Sequence, residues 1–199
     1  MGQRNTLSKG DLFEMNTVIR QATIEDAKDI LKIYSPYVLE TAITFEYEVP
    51  TLEEFVDRIR KIIEKYPYLV AEVKGEVVGY AYASTFKDRA AYDWCVETSI
   101  YLAKNMRGKG IGKMLYEALE EALKKQNILN ANACITYAEA EDEYHTNGSM
   151  HFHEKMGYTF VGRFHKCGYK FGKWYDMIWM EKMLGEHREN PPKVNDVTL

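Results

Sequence analysis

The sequence has few cysteines, no long apolar run and no marked excess of either charge. Its three cysteines, Cys95, Cys134 and Cys167, are an odd number without C-x-x-C spacing, which argues against a disulfide framework or a zinc site and fits a reducing compartment. No apolar run approaches the roughly 20 residues of a membrane helix, and residues 1–16 lack the apolar core of a signal peptide. We therefore predict a cytoplasmic protein without membrane association.

Composition and charge further limit the classes of protein to which this chain can belong. The 26 basic and 30 acidic residues are dispersed and give a net charge of −4, so nucleic acid is not the expected partner. A chain of 199 residues with 46% hydrophobic residues is long enough to bury one substantial core. Residues 1–16 and 185–199 are polar and aperiodic, and we interpret them as tails or arms flanking one domain over 17–184.

The hydrophobic pattern predicts an α/β fold with alternating helices and strands. Thr23 with Asp26 and Thr51 with Glu54 have the spacing of capping boxes and predict the starts of two helices. Two more helices are predicted over 110–125 and 149–156. Strands are predicted over 17–20, 68–73, 77–84, 92–102, 130–136, 158–165 and 173–182.

The run Arg107-Gly108-Lys109-Gly110-Ile111-Gly112 predicts a binding site for a pyrophosphate. Glycines let backbone amides approach phosphate oxygens, and the start of the following helix adds free N–H groups and a positive dipole end. The spacing fits neither the dinucleotide fingerprint nor the P-loop nor the kinase glycine loop. The alternative is a glycine-rich turn that merely relieves crowding.

The segments on both sides of the glycines favour the phosphate site. From Trp94 to Leu102 apolar residues alternate with period two, which predicts a strand with Val96, Thr98 and Ile100 on one face and Glu97 on the other. From Ile111 onwards, apolar residues recur every three or four positions, as on one face of a helix.

A strand, R-x-x-G-x-G and a helix in this order resemble the acyl-CoA pyrophosphate loop of the GNAT N-acyltransferase superfamily. The resemblance implies a mixed, twisted sheet with helices on both faces, which splays beside the glycine loop and admits the pantetheine arm of acetyl-CoA between two strands. It also implies the donor-site residues Ile100, Tyr101, Leu102, Arg107, Gly108, Lys109, Gly110, Ile111, Gly112, Lys113, Asn147 and Ser149.

Three further stretches resemble the phosphinothricin acetyltransferase-like branch of that superfamily. Residues 149–158 resemble its last motif, with His153 four residues before Gly157, in the position where many members have a tyrosine that protonates the departing thiolate. Residues 87–101 match its basic residue, Tyr and Val-Glu-x-Ser pattern, and residues 41–46 resemble its substrate rim. The similarity covers roughly 17–184 and implies the acceptor-site residues Phe45, Glu46, Arg89 and Tyr92.

This branch acetylates amino-acid analogues such as phosphinothricin, methionine sulfoximine and methionine sulfone. The resemblance therefore implies acetyl-CoA-dependent N-acetylation of a small amine, and we expect a homodimer. Acetylation of a protein N-terminus and a non-catalytic acyl-CoA sensor are the alternatives. Release of free thiol on addition of amines would separate the enzymes from the sensor.

One segment departs from the branch. The asparagine that usually stands three residues before the serine is replaced by Thr146, while Asn147 stands two before Ser149. The preceding residues 137–145 are acidic and longer than expected. They either close over the acceptor channel or form a solvated loop, and we favour the loop.

Acetyl transfer to an amine requires a proton acceptor for the amine and a proton for the thiolate. Glu97 is the candidate base and His153 the candidate acid; a solvent-facing strand glutamate and a helix-packing histidine are the structural alternatives. The other four histidines are expected to be structural or exposed, and no metal site is indicated. Trp174 and Tyr175 are expected in the core rather than at an acceptor pocket or a dimer interface.

Overall fold

The computed structural model describes residues 16–197, which form a seven-stranded mixed sheet with the strand order β1-β2-β3-β4-β5-β7-β6. The strands are β1 (Thr17–Gln21), β2 (Tyr68–Val73), β3 (Glu76–Thr85), β4 (Cys95–Leu102), β5 (Asn130–Tyr137), β6 (Thr159–Lys170) and β7 (Lys173–Met183). The helices are α1 (Ala27–Glu40), α2 (Leu52–Ile63), α3 (Ile111–Lys125) and α4 (Gly148–Lys155). The predicted α/β fold is confirmed.

The helices cover both faces of the sheet, as expected. One core lies under α3 and includes Leu115, Leu119 and Val96, while a second core lies under α1 and α2 and includes Ile30, Ile59 and Tyr80. Alternation along β4 decides which side chain enters which core, because successive residues of a strand point to opposite faces.

Capping boxes in the sequence determine where two of the helical segments begin. The Glu54 amide donates to the Thr51 hydroxyl over 3.2 Å, and the Thr51 amide donates to the Glu54 carboxylate over 2.8 Å. The Thr23 amide donates to the Asp26 carboxylate over 2.7 Å at the short 3-10 turn that precedes α1. Both predicted caps are present.

Two strand boundaries differ from the prediction. The strand predicted over 92–102 begins only at Cys95, because residues 90–92 form a 3-10 turn. β6 continues to Lys170 instead of ending near 165, because the strand bulges between Phe164 and Gly168 and then resumes its pairing with β7. Irregular pairing of this kind leaves no clear period in a sequence.

The sheet forks between β4 and β5, its only parallel neighbours among the described residues. Their pairing covers only Cys95–Glu97 against Asn130–Asn132, after which the two strands separate. Glu97 is thus the last residue of β4 that pairs with β5, and the fork opens beside it.

The chain after β7 lies against the domain without helix or strand up to residue 197. The Trp94 indole donates to the Pro192 carbonyl over 2.7 Å, and the Asn195 amide donates to the Gln126 carbonyl over 2.9 Å. The predicted tail at 1–16 lies outside the described residues apart from Asn16. Within 16–197, no helix is both long enough and apolar enough to cross a membrane.

Candidate active site

The glycine loop joins β4 to α3 and presents backbone amides at the start of the helix. Gly108 and Gly110 have φ angles of +73° and +83°, which only glycine adopts without strain. The first helical hydrogen bond runs from the Met114 amide to the Gly110 carbonyl over 3.2 Å. The amides of Ile111, Gly112 and Lys113 are therefore left without an intrahelical acceptor and can bind an anion.

The side chains of this segment differ in what they can contribute. Arg107 lies over the Tyr37 ring, with 4.8 Å from its guanidinium carbon to the ring centroid. Lys109 is partly buried beside Met106, and Lys113 is exposed beside Glu117. Ile111 is fully buried in the core, so that only its backbone amide is available to a ligand.

A cavity of about 310 Å³ runs from the glycine loop towards the fork of the sheet. Arg107 and Gly108 lie at one end of its lining, and Ile100, Leu102, Ser149 and Phe152 line its sides. A Cβ on Gly112 would stand 3.3 Å from the Phe152 ring and 3.4 Å from Leu102, so α3 approaches both walls closely at this point.

This cavity continues into a smaller one inside the fork, which shares Ile43, Ile100 and Ser149 with it. The anion site at one end matches the pyrophosphate of acetyl-CoA. The groove with apolar walls and the opening between two strands match its pantetheine arm. The residues present therefore fit this donor.

The side chains of two predicted donor-site residues, Tyr101 and Asn147, do not face the groove. The Tyr101 ring packs on the opposite face against Tyr34, Tyr37 and Tyr80, so only its backbone faces the groove. The Asn147 amide group is used internally, since its Nδ2 donates to the Ala138 carbonyl over 2.8 Å. Thr146 lines the groove instead.

Glu97 is half-buried at the fork, on the face opposite the α3 core. Partial burial raises the pKa of its carboxyl above the ordinary glutamate value, and the nearby Lys87 ammonium opposes part of this rise. A carboxylate with a raised pKa is a better proton acceptor than an exposed one.

His153 is buried among Tyr116, Phe152 and Tyr158 behind the groove, although its ring reaches the cavity in the fork. Its Nδ1 lies 2.8 Å from the Ser149 carbonyl, which can only accept, so Nδ1 carries the hydrogen. Its Nε2 lies 2.8 Å from the Tyr116 hydroxyl and accepts from it. Burial lowers the pKa of His153 to about 4.

A neutral ring with both nitrogens engaged is a poor proton donor at neutral pH. The structure therefore does not favour the predicted acid role of His153 and instead matches the alternative of a histidine that packs within its helix.

The predicted acceptor residues fall into two groups. Phe45 packs directly on Gly168, where a Cβ would stand 2.2 Å from the ring, and Glu46 pairs with Arg58 over 2.5 Å. Arg89 and Tyr92 are exposed. Tyr92 lines a separate open cavity of about 790 Å³, together with Phe86, Trp94 and Trp179.

The segment over 137–146 leaves Glu139, Glu141 and Glu143 exposed, as in the favoured solvated loop, but it is held to the domain at Asp142. The Asp142 carboxylate accepts from the backbone amides of Tyr144 and His145 over 2.8 and 2.9 Å and also contacts Lys173 and Tyr175. The Ala42 amide donates to the Tyr144 carbonyl over 2.9 Å, which ties this segment to the rim loop.

Lys170 is a site residue that sequence reasoning missed. It is 2% exposed, and its ammonium donates to the Val38, Thr41 and Thr44 carbonyls over 2.7, 2.8 and 2.8 Å. It thereby anchors the rim loop to the β6–β7 hairpin. From the sequence alone, a lysine beside a turn is expected to be exposed to solvent. No local pattern therefore indicates that Lys170 is buried.

Of the two aromatic residues expected in the core, only Tyr175 is buried. Trp174 is 61% exposed and contacts Tyr169 at the hairpin. Among residues 16–197, no group of three or more His, Cys, Asp or Glu side chains could hold a metal ion.

Comparison with known proteins places this site in a family. The family model described as "Acetyltransferase (GNAT) domain" matches residues 19–179. The chain is 35% identical to a phosphinothricin N-acetyltransferase of Streptomyces viridochromogenes, over 82% of this chain and 86% of that protein. It is 32% identical to an L-methionine sulfoximine/L-methionine sulfone acetyltransferase of Pseudomonas paraeruginosa, over 89% of this chain and all of that protein.

A solved structure shows the same likeness. The crystal structure of a GNAT superfamily phosphinothricin acetyltransferase from Sinorhizobium meliloti, in complex with AcCoA, is similar with a TM-score of 0.81 and 35% identity. The match covers 90% of this chain and 94% of that one. The chain belongs to the acetyltransferase (GNAT) family.

Proposed function

We propose that the protein is an acetyl-CoA-dependent N-acetyltransferase that acts on the amine of an amino acid or an amino-acid analogue. The observation that carries this proposal is the order of three features: the anion site at the glycine loop, the groove that leads from it towards the fork, and Glu97, the last residue of β4 that pairs with β5 at that fork. The names of the relatives support the substrate class of phosphinothricin and methionine sulfoximine type.

On the donor side, the amides of Gly108 to Lys113, with Arg107 and Lys109, hold the pyrophosphate. The walls formed by Ile100, Leu102 and Ser149 direct the pantetheine arm into the fork. Acetyl-CoA, when bound, supplies the thioester carbonyl that the amine attacks. Tyr101 contributes its backbone to this wall, and Asn147 supports the wall from behind.

On the acceptor side, Glu97 takes a proton from the substrate ammonium, because an ammonium has no lone pair with which to attack. Its raised pKa brings its proton affinity closer to that of the amine. Phe45 and Glu46 form the rim, while Arg89 and Tyr92 extend the acceptor site towards the open cavity. His153 acts as a positioning residue that holds the Ser149 end of α4 through its Nδ1 hydrogen bond.

A panel assay tests this function. Purified protein is given acetyl-CoA and free amino acids, their sulfone or phosphinate analogues, or short peptides, and the release of CoA thiol is measured. We expect release with an amino acid or an analogue. Release with peptides alone would favour a protein N-terminal acetyltransferase, and binding of acetyl-CoA without release with any amine would favour a sensor.

We further propose a homodimer. Four large apolar side chains on β6 and β7 at one edge of the sheet, Phe160, Val161, Phe164 and Trp174, are each more than half exposed. Apolar patches of this kind mark association surfaces. Light scattering coupled to gel filtration should give a mass of two chains, and a single-chain mass would refute the dimer.

We also propose a cytoplasmic location. All three cysteines are free, as expected in a reducing compartment. Cell fractionation would test the location directly.

A further inference from the structure

His145 occupies the cavity inside the fork although it comes from the segment over 137–146 and not from the strands. It is 2% exposed and lines this cavity together with Ser99, Thr136 and Ser149. Its backbone is held on both sides, since its amide donates to the Asp142 carboxylate over 2.9 Å and its carbonyl accepts from the Asp142 amide over 2.9 Å. The ring is therefore preorganised at the place where the donor groove ends.

The hydrogen bonds of Asn147 show which nitrogen of the His145 ring carries a hydrogen. Asn147 Nδ2 donates to the Ala138 carbonyl, so its Oδ1 is the atom that faces His145. An amide oxygen can only accept, and His145 Nε2, 3.1 Å away, must therefore carry a hydrogen. In the neutral ring, the other nitrogen, Nδ1, then has a free lone pair.

That lone pair has no partner in the part of the chain that the structure describes. Among residues 16–197, His145 Nδ1 is buried and makes no hydrogen bond. Buried polar atoms are almost always satisfied, because leaving one unpaired costs free energy. Asn147, which binds the other side of the ring, does not line the cavity, whereas His145 does.

Acetylation removes two protons from the substrate nitrogen, of which one is released and the other ends on the sulfur of CoA. A substrate ammonium carries three hydrogens on nitrogen and the amide product carries one, so two protons leave. Glu97 takes the first before attack. The second leaves the nitrogen as the N–C bond forms and the C–S bond breaks, and the sulfur keeps the electron pair of that bond.

We propose that His145 is a catalytic residue whose Nδ1 accepts the second proton from the attacking amine. This inference rests on the proposed function. The imidazolium that forms keeps its Nε2 hydrogen bond to Asn147 and passes the new proton to the sulfur, which restores the lone pair. His145 thus accepts a proton from the substrate nitrogen and then donates it to the leaving thiolate, so no other acid is required.

The test compares three variants by the kcat/KM for an accepted amine and by acetyl-CoA affinity from calorimetry. His145→Gln keeps a donor near the position of Nε2 and removes the lone pair at Nδ1. His145→Asn places an amide oxygen near the position of Nδ1, which accepts hydrogen bonds but is not basic. His151→Gln is the matched control, because the His151 side chain is exposed and pairs with Glu154 over 3.1 Å.

We expect both His145 variants to lose roughly 10²-fold or more in kcat/KM, the usual range for acid–base catalysis, with acetyl-CoA affinity unchanged and the control unaffected. Recovery of activity in His145→Asn would show that Nδ1 only accepts a hydrogen bond, and would overturn the proposal. A loss of less than threefold in folded His145→Gln would also overturn it. If the wild type itself releases no CoA with any amine, the proposed function fails instead.

A second measurement does not depend on turnover. In wild-type protein with 15N-labelled histidine, the Nδ1 signal of His145 should be that of a nitrogen without hydrogen, and the Nε2 signal that of an N–H. Adding an accepted amine together with CoA should shift the Nδ1 signal. A hydrogen on Nδ1 in the free protein would contradict the tautomer on which the inference depends.

Discussion

The two halves of the site are built in different ways. The donor half comes from one continuous stretch, β4, the glycine loop and the start of α3, and it offers mainly backbone amides. The acceptor half is assembled from the rim loop at 41–46, the segment at 137–146 and the β6–β7 hairpin, which are joined by side chains such as Lys170 and Asp142. Backbone recognition depends on glycine at certain positions, whereas side-chain assembly depends on partners far apart in sequence.

This contrast predicts how each half fails. A substitution in the donor half should affect acetyl-CoA binding and leave the amine site intact. A substitution in the acceptor half should change the use of the amine and leave acetyl-CoA affinity intact.

The largest effect is expected from Gly110→Val. Gly110 has a φ of +83° at the start of α3, so a branched side chain there is strained and also stands beside the free amides. Acetyl-CoA binding measured by calorimetry should be abolished while the domain stays folded by circular dichroism. Gly162→Val is the control, because Gly162 lies in β6 and a Cβ there meets nothing within 4 Å. Unchanged affinity in folded Gly110→Val would disprove the loop assignment.

Glu97→Gln should show the next largest effect. It keeps the shape and removes the proton acceptor, so kcat/KM for the amine should fall by roughly 10²–10⁴-fold, with acetyl-CoA affinity kept. Since burial raises the pKa of Glu97, the wild-type kcat/KM should rise with pH through a value above the ordinary glutamate range. A fall of less than about threefold, measured below the pKa of the amine, would reassign Glu97 to the scaffold.

His153→Phe tests whether this buried histidine is structural. Its pKa falls from 6.5 in the unfolded chain to about 4 in the folded protein, so the unfolded state binds more protons between these values, and stability is lost as pH falls. Between pH 7 and pH 5 the wild type should lose about 2 kcal/mol more unfolding free energy than the variant, as measured in urea. The pH profile of kcat should have the same shape in both proteins; a decline of kcat at high pH that is present in the wild type and absent from the variant would restore His153 as the proton donor.

Lys170→Met should have the smallest effect and should test the acceptor half alone. Met keeps the length of the side chain but frees three carbonyls around the rim loop, which then loosens. The KM for the amine should rise by about tenfold, equivalent to about 1.4 kcal/mol, with the KM for acetyl-CoA unchanged. Lys124→Met, on the exposed face of α3, is the control. An equal rise in both KM values would show that the two halves are coupled.

Local patterns predicted most of the fold and the donor half. The period of two in β4, the capping box at Thr51 and the glycines of the loop each act over a few residues, and the structure contains all three. Predictions failed where distant segments decide the outcome. Trp174 was expected in the core but is exposed on the hairpin, and one residue of the acidic segment expected in solvent, Asp142, instead contacts Lys173 and Tyr175.

The histidines show the same limit. His153 matches a family position for a proton donor, yet its tertiary surroundings bury the ring and engage both ring nitrogens. His145 has no motif around it, yet the fold brings it to the cavity in the fork of the sheet and leaves its Nδ1 without a hydrogen bond among residues 16–197. The type of a residue and its spacing in the sequence do not predict which groups will surround its side chain in the folded protein.

The sequence by itself determined the order of helices and strands, the glycine loop and the place of Glu97 on the strand face opposite Val96. These features depend on backbone conformation and on periods of two or 3.6 residues, which neighbouring residues decide. The tertiary structure alone decided how far β4 and β5 pair, where Lys170 and His145 lie, and what shifts the pKa of Glu97 and His153. Burial and hydrogen-bond partners come from segments up to 132 residues apart, as between Lys170 and Val38, and no local pattern contains them.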